Sequence, residues 1–136
     1  MLLEEIEKFI NNTSSCMISS VDEEGFPQTR AMLNARYKNG IKKFYFTTNT
    51  SSQKIIQFGV NNKASVYFYD PMHFIWILFL WTVEISQKNA DKDLVWRDGD
   101  ELYYPKGFDD PDFSVLKFTT QKIKKYANFT VEEVIL

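Results

Sequence analysis

Runs of apolar and strand-forming residues, separated by turn residues, make up most of this chain, and in two stretches apolar residues recur at helical spacing instead. Leu2, Leu3, Ile6, Phe9 and Ile10 fall on one helical face and predict a short amphipathic helix over 2–11. Residues 15–21 (SCMISSV) predict a strand, and Gly25 and Pro27 mark the turn that ends it. A second strand is expected over 28–37, a turn at KNG (38–40), and a third strand over 43–48. Two hairpins in succession make an antiparallel meander. A helix follows over 51–58, with Ser51 or Asn49 as its cap, Ile55, Ile56 and Phe58 on its apolar face, and Gly59 where it stops. Strands are predicted over 64–69 and 74–86, then a helical turn over 91–96 and a turn-rich loop over 104–112. Two final strands are predicted over 113–118 and 122–126. The fold class is mainly β with short helices: six or seven antiparallel strands in an order that closes into a small barrel or a sandwich.

The run FIWILFLWTV (74–83) is about half the length a membrane-spanning helix needs, so it reads as a buried strand. It is apolar on both faces, and a strand of that kind must be covered on both. The barrel's own core covers one side; a second subunit is expected on the other.

At 136 residues the chain is expected to form a single domain over 1–136, long enough to build a core without disulfides or a structural metal. Aromatic residues make up 16%, with 12 Phe and 7 Tyr, which suits strands and pockets for flat ligands. The net charge of −2 argues against a nucleic-acid binder. The lone Cys16 and the acidic N-terminal MLLEEIEKF point to a cytoplasmic protein with no membrane association. His73 is the only histidine, so no multi-histidine metal site is expected, and a place in a solvent-facing turn is.

The most informative stretch is FTTNTSSQK (46–54), where small polar groups and one cation follow an apolar strand. The start of a helix supplies unpaired N–H groups and a favourable dipole for an anion. Here the N–H groups of Ser52 and Gln53 are the expected donors, with hydroxyls from Thr48, Ser51 and Ser52. A lysine in the first helical turn, Lys54, is disfavoured by the dipole unless an anion sits there. Arg30, on the preceding strand, is placed to add a forked contact. The plainer reading of the same residues is a capped helix start with a solvated lysine.

The ordered set VDEEGFPQTRAML, FYFTTNTSSQK and NNKASVYFYD, with YYPKGFDDPDFSVLKFT near the end, resembles the pyridoxamine-phosphate-oxidase-like flavoproteins, or FMN-binding split barrels. The last segment is similar to a small bacterial subgroup labelled general stress protein. The resemblance implies a six-stranded antiparallel split barrel, a homodimer, and FMN bound at the subunit interface. It implies that Arg30 touches the FMN phosphate, that Thr47 and Thr48 lie near the flavin, and that Ser52 and Lys54 belong to the phosphate motif. Met32 and Ser51 are counted with this cofactor-binding set, as is Gln53, which stands where the oxidase has arginine. Ala35 stands where the oxidase has a second strand lysine, and Trp81 where related sequences carry glycine. The Arg- and His-bearing C-terminal segment of the true oxidase has no counterpart here. The implied function is therefore an FMN-dependent oxidoreductase of unknown substrate, distinct from pyridoxamine-phosphate oxidase. The alternatives are a non-enzymatic flavin or haem module and a structural dimer without cofactor. Hydride transfer to FMN demands no acid or base from the protein, and no catalytic residue is singled out.

Overall fold

The computed structural model describes residues 2–136. Helix α1 (Leu2–Asn11) buries Ile6 and Ile10 completely and carries Glu4 and Glu5 in its first turn and Lys8 in its last, the polarity a helix dipole favours. Strands β1 (Ser15–Val21) and β2 (Pro27–Leu33) form the first hairpin. In its turn the Asp22 carboxylate accepts from the N–H groups of Glu24 and Phe26, and Gly25 takes φ +87°. Short β3 (Tyr37–Asn39) pairs with β4 (Lys43–Asn49), and helix α2 (Gln53–Val60) follows. Strands β5 (Lys63–Asp70) and β6 (Ile75–Ser86) pair along their length. Helix α3 (Asn89–Val95) and two single 3-10 turns, Asp100–Leu102 and Gly107–Asp109, lead into β7 (Phe113–Ala127) and β8 (Thr130–Ile135).

The sheet runs β2-β1-β5-β6-β7-β4-β3, with β8 beside β7. Its two edge strands, β2 and β3, are one bent segment of chain, so the path closes on itself as a ring of six segments. The stretch expected as a single strand over 28–37 thus breaks at 34–36. Asn34 makes the bend: its Nδ2 donates to the carbonyls of Ile10 (2.8 Å) and Thr13 (2.7 Å), and its Oδ1 accepts from the Ala35 N–H. Those bonds pin the bend to the end of α1 and turn the chain away from β1.

The sheet holds eight strands rather than six or seven. The two last strands expected over 113–118 and 122–126 are one, β7, with a bulge at Gln121 where β6 and β7 shift register between Leu80 and Trp81. One edge of β7 is shared: β4 pairs with 113–119 and β8 with 122–127. Strand β8 was not among the expected elements, although Thr130, Val131, Val134 and Ile135 are β-branched strand formers. Its hairpin turns on Asn128 and Phe129 with φ +52° and +64°, a geometry that Asn-Gly usually marks.

The core is aromatic. Phe44 is fully buried, edge-on to Phe79 at 4.9 Å and stacked on Phe118 at 5.9 Å, with Phe46, Phe68, Ile18, Ile77 and Ile123 around it. A second, smaller cluster lies across β4 and β7: Tyr45, Val95, Tyr104, Phe113 and Val115, closed by Trp96 and Phe108. It fastens α3 and the 3-10 turns to the sheet and so builds one wall of the cavity described next. No helix among the described residues is long and apolar enough to cross a membrane.

Candidate functional site

Strand β4 leaves the sheet at Asn49, and α2 starts four residues later. The loop between them is tied to the segment before β7. The N–H of Thr50 donates to the Asp112 carbonyl and the N–H of Ser51 to the Asp112 carboxylate, each at 2.8 Å. Asp112 thus holds this junction, while Asp110 accepts from the N–H groups of Lys106 and Asp112 within its own turn.

The cap of α2 differs from expectation. Ser52, rather than Ser51 or Asn49, is the N-cap, and its side chain makes no capping bond. The Asn49 side chain instead accepts from the Tyr104 hydroxyl at 2.9 Å. The Ser52 N–H is engaged by the Asn49 carbonyl (3.0 Å), so the open N–H groups of the helix start are those of Gln53 and Lys54.

A cavity of about 580 Å³ opens here, within the range of small-molecule sites. Thr47, Thr48, Asn49, Ser51, Ser52 and Lys54 of the β4–α2 junction line it, together with Leu33, Arg36, Asp100, Tyr103 and Tyr104. Thr48 Oγ1 and Ser52 Oγ are buried and have no hydrogen-bond partner among the described residues. Native structures rarely leave buried hydroxyls unpaired, and here both belong to residues lining one concave space.

Lys54 is half-buried, and no carboxylate lies within salt-bridge distance of it or of Arg30 among the described residues. Burial pushes the Lys54 ammonium below its ordinary pKa, and the nearby Arg30 guanidinium pushes it the same way. Burial alone lowers Arg30. Two cations held close together, each partly stripped of water and neither neutralised, form an arrangement that an anion relieves.

The sequence-predicted residues do not all converge. Arg30 does not line the cavity; it donates to Ser20 Oγ at 2.9 Å and to Gln57 Oε1 on α2 at 3.1 Å. The Gln53 side chain lines a separate groove of about 380 Å³ with Gln28, Ile56 and Gln57. Met32 packs, partly buried, against the core. Trp81 does not line the cavity either; it is 42% exposed, with Lys63 Nζ 5.9 Å from its ring centre. His73 sits exposed in the β5–β6 turn, 2.7 Å from the Asp70 carboxylate. Among the described residues no cluster of metal ligands occurs.

Sequence reasoning missed Arg36, Asp100 and Tyr104. Arg36 Nη1 donates to the Asp100 carboxylate and to the Val95 carbonyl at 3.1 Å. Burial raises the Asp100 carboxyl, but bonds from Arg36 and from the Arg97 N–H (2.9 Å) outweigh it and leave the group below its ordinary value. A partner 64 residues away leaves no local pattern to read.

The family model described as pyridoxamine 5'-phosphate oxidase matches residues 2–127. A protein related to general stress protein 26 of B. subtilis, from Clostridium acetobutylicum and of the pyridoxinephosphate oxidase family, superimposes with a TM-score of 0.88. It is 32% identical over 99% of this chain and 94% of its own. A heme binding protein from Mycobacterium smegmatis shares the fold with a TM-score of 0.79 at 14% identity, over 99% of this chain and 58% of its own. A pyridoxine/pyridoxamine 5'-phosphate oxidase of Legionella pneumophila is 38% identical over 61 residues, which is 45% of this chain and 27% of that enzyme. By the extent of the family match and the likeness to the Clostridium protein, this chain belongs to the pyridoxamine 5'-phosphate oxidase family.

Proposed function

We propose that this protein is a cytoplasmic, dimeric FMN-binding flavoprotein that acts as an oxidoreductase on an unknown substrate. The observation that carries the reading is the unpaired donor set at the start of α2: the buried Thr48 and Ser52 hydroxyls and the half-buried Lys54, all lining one cavity. A phosphate monoester brings close to two negative charges and several acceptor oxygens. The orphaned hydroxyls of Thr48 and Ser52, the N–H groups of Gln53 and Lys54, and the Lys54 ammonium are the donors it needs. Arg30, held by neutral partners, contributes its charge from beneath the helix. The donor set therefore fits FMN even though the oxidase's cations at 35 and 53 are alanine and glutamine here.

FMN, when bound, supplies hydride and electron transfer. The chain's own residues bind and orient it: the β4 end and α2 hold the tail, and Leu33, Tyr103 and Tyr104 wall the space beyond. Thr47, Thr48 and Asn49 pair with β7, so alternate N–H groups there serve the sheet and only the remainder is open to a ligand.

A second copy of the chain is the proposed cover for the outer face of β5, β6 and β7. Tyr67, Trp76 and Tyr126 form an aromatic ladder there, with ring centres 6.0 and 5.7 Å apart, beside partly exposed Leu78 and Leu80. A haem module on the same fold would find no imidazole in the cavity lining and would have to use Tyr103 or Tyr104 as its axial ligand.

The test is a visible spectrum of the purified protein and an FMN titration, with sedimentation of the wild type and Leu80→Lys. The reading expects a flavin spectrum, or its appearance on adding FMN, and a dimer that Leu80→Lys dissociates. A Soret band with no flavin uptake overturns it.

A further inference from the structure

The cavity lining holds two cations in different electrostatic states. Lys54, with Arg30 nearby, has no acid within salt-bridge distance among the described residues. Arg36 has its charge matched by the buried Asp100 carboxylate. Arg36 is 19% exposed and lines the cavity, and only its Nη1 is engaged. Its Nε and Nη2 donate to nothing among the described residues. An arginine presents its donors as a planar fork, and here Asp100 and the Val95 carbonyl fix the plane of that fork.

Because Arg36 and Asp100 together are neutral, the pair has little net attraction for a second full anion. It is suited to a planar group with uncharged carbonyl acceptors. We infer that Arg36 is a ligand-binding residue that reads the dione edge of the flavin ring, while Lys54 takes the phosphate. This rests on the FMN reading above and adds the orientation: the tail lies toward α2 and the ring's carbonyl edge toward the Arg36–Asp100 pair. Arg36 reaches this place because the Asn34 bend turns the chain just before it, while its neighbour Ala35 packs into the core. Asp100 is then a positioning residue, acting only through Arg36.

Riboflavin separates the two ends of the site, since it has the ring without the phosphate. Equilibrium titrations of FMN and riboflavin are compared for the wild type, Lys54→Ala, Arg36→Met and the double variant Arg36→Met/Asp100→Asn. The double variant avoids leaving a buried carboxylate unpaired. The expected result is that both Arg36 variants weaken FMN and riboflavin by the same factor, about tenfold for a lost forked contact. Lys54→Ala weakens FMN alone. If the double variant binds both flavins as the wild type does, the inference fails while the phosphate assignment stands on Lys54. If Arg36 substitution weakens only FMN, Arg36 serves the phosphate and the inference also fails. A wild type that takes up neither flavin overturns both readings.

Discussion

Replacing Lys54 by alanine separates a ligand-binding lysine from an ordinary surface one, because affinity and stability should move apart. In the bound state Lys54 makes a charge-assisted hydrogen bond to phosphate, worth about 1.5–3 kcal/mol. At about 1.4 kcal/mol per tenfold, its loss weakens FMN binding by roughly ten- to 150-fold. In the ligand-free protein the same side chain has no salt-bridge partner among the described residues, lies close to Arg30 and occupies the second position of α2. A cation at a helix start is disfavoured by about 0.3–1 kcal/mol where it is exposed, and alanine is at least as good a helix former. Lys54→Ala should therefore leave the ligand-free melting temperature unchanged or raise it by about 1–3 °C. Flavin fluorescence quenching gives the affinity and differential scanning calorimetry the stability. Unchanged affinity, or a melting temperature several degrees lower, refutes the reasoning.

Three further outcomes follow from the same geometry. Ser52→Ala should weaken FMN binding several-fold yet cost the ligand-free protein almost nothing, because the Ser52 side chain makes no capping bond; titration and chemical denaturation check both halves. Phe44→Ala should destabilise the fold by about 3–5 kcal/mol, since its ring is fully buried against Phe79 and Phe118, and urea unfolding measures it. Asp91 and Asp100 both lie below the ordinary 3.8 in the folded chain, despite burial that pushes them up. The unfolded chain therefore takes up protons first as pH falls. Their stabilisation is complete above 3.8 and is lost as pH falls through the lower folded values. Urea midpoints measured from about pH 6 to about pH 3 should fall, and fall less in Asp100→Asn.

The hydrophobic pattern carries most of the fold, because strands half-buried in one barrel must alternate. In β1, Cys16, Ile18 and Ser20 are buried while Ser15 and Met17 are exposed, so the alternation holds in space although apolar Met17 and polar Ser20 break it in the sequence. The errors fall where local chemistry overrides pattern. TTQ in the middle of β7 reads as an interruption, yet a bulge at Gln121 absorbs the mismatch and the strand continues. Asn34 reads as one more strand residue, and only its bonds to the end of α1 make it a bend. The site divides in the same way. The donors at the end of β4 and the start of α2 are contiguous in sequence and were found together. The rest of the lining is assembled from residues far apart along the chain, Arg36 and Asp100, and no spacing rule joins them.

The most direct measurement is a crystal structure of the protein soaked with FMN. Phosphate density within hydrogen-bond distance of Lys54 Nζ and Ser52 Oγ is the result predicted. Density for the nucleotide elsewhere on the protein, with that corner holding only water, contradicts the account.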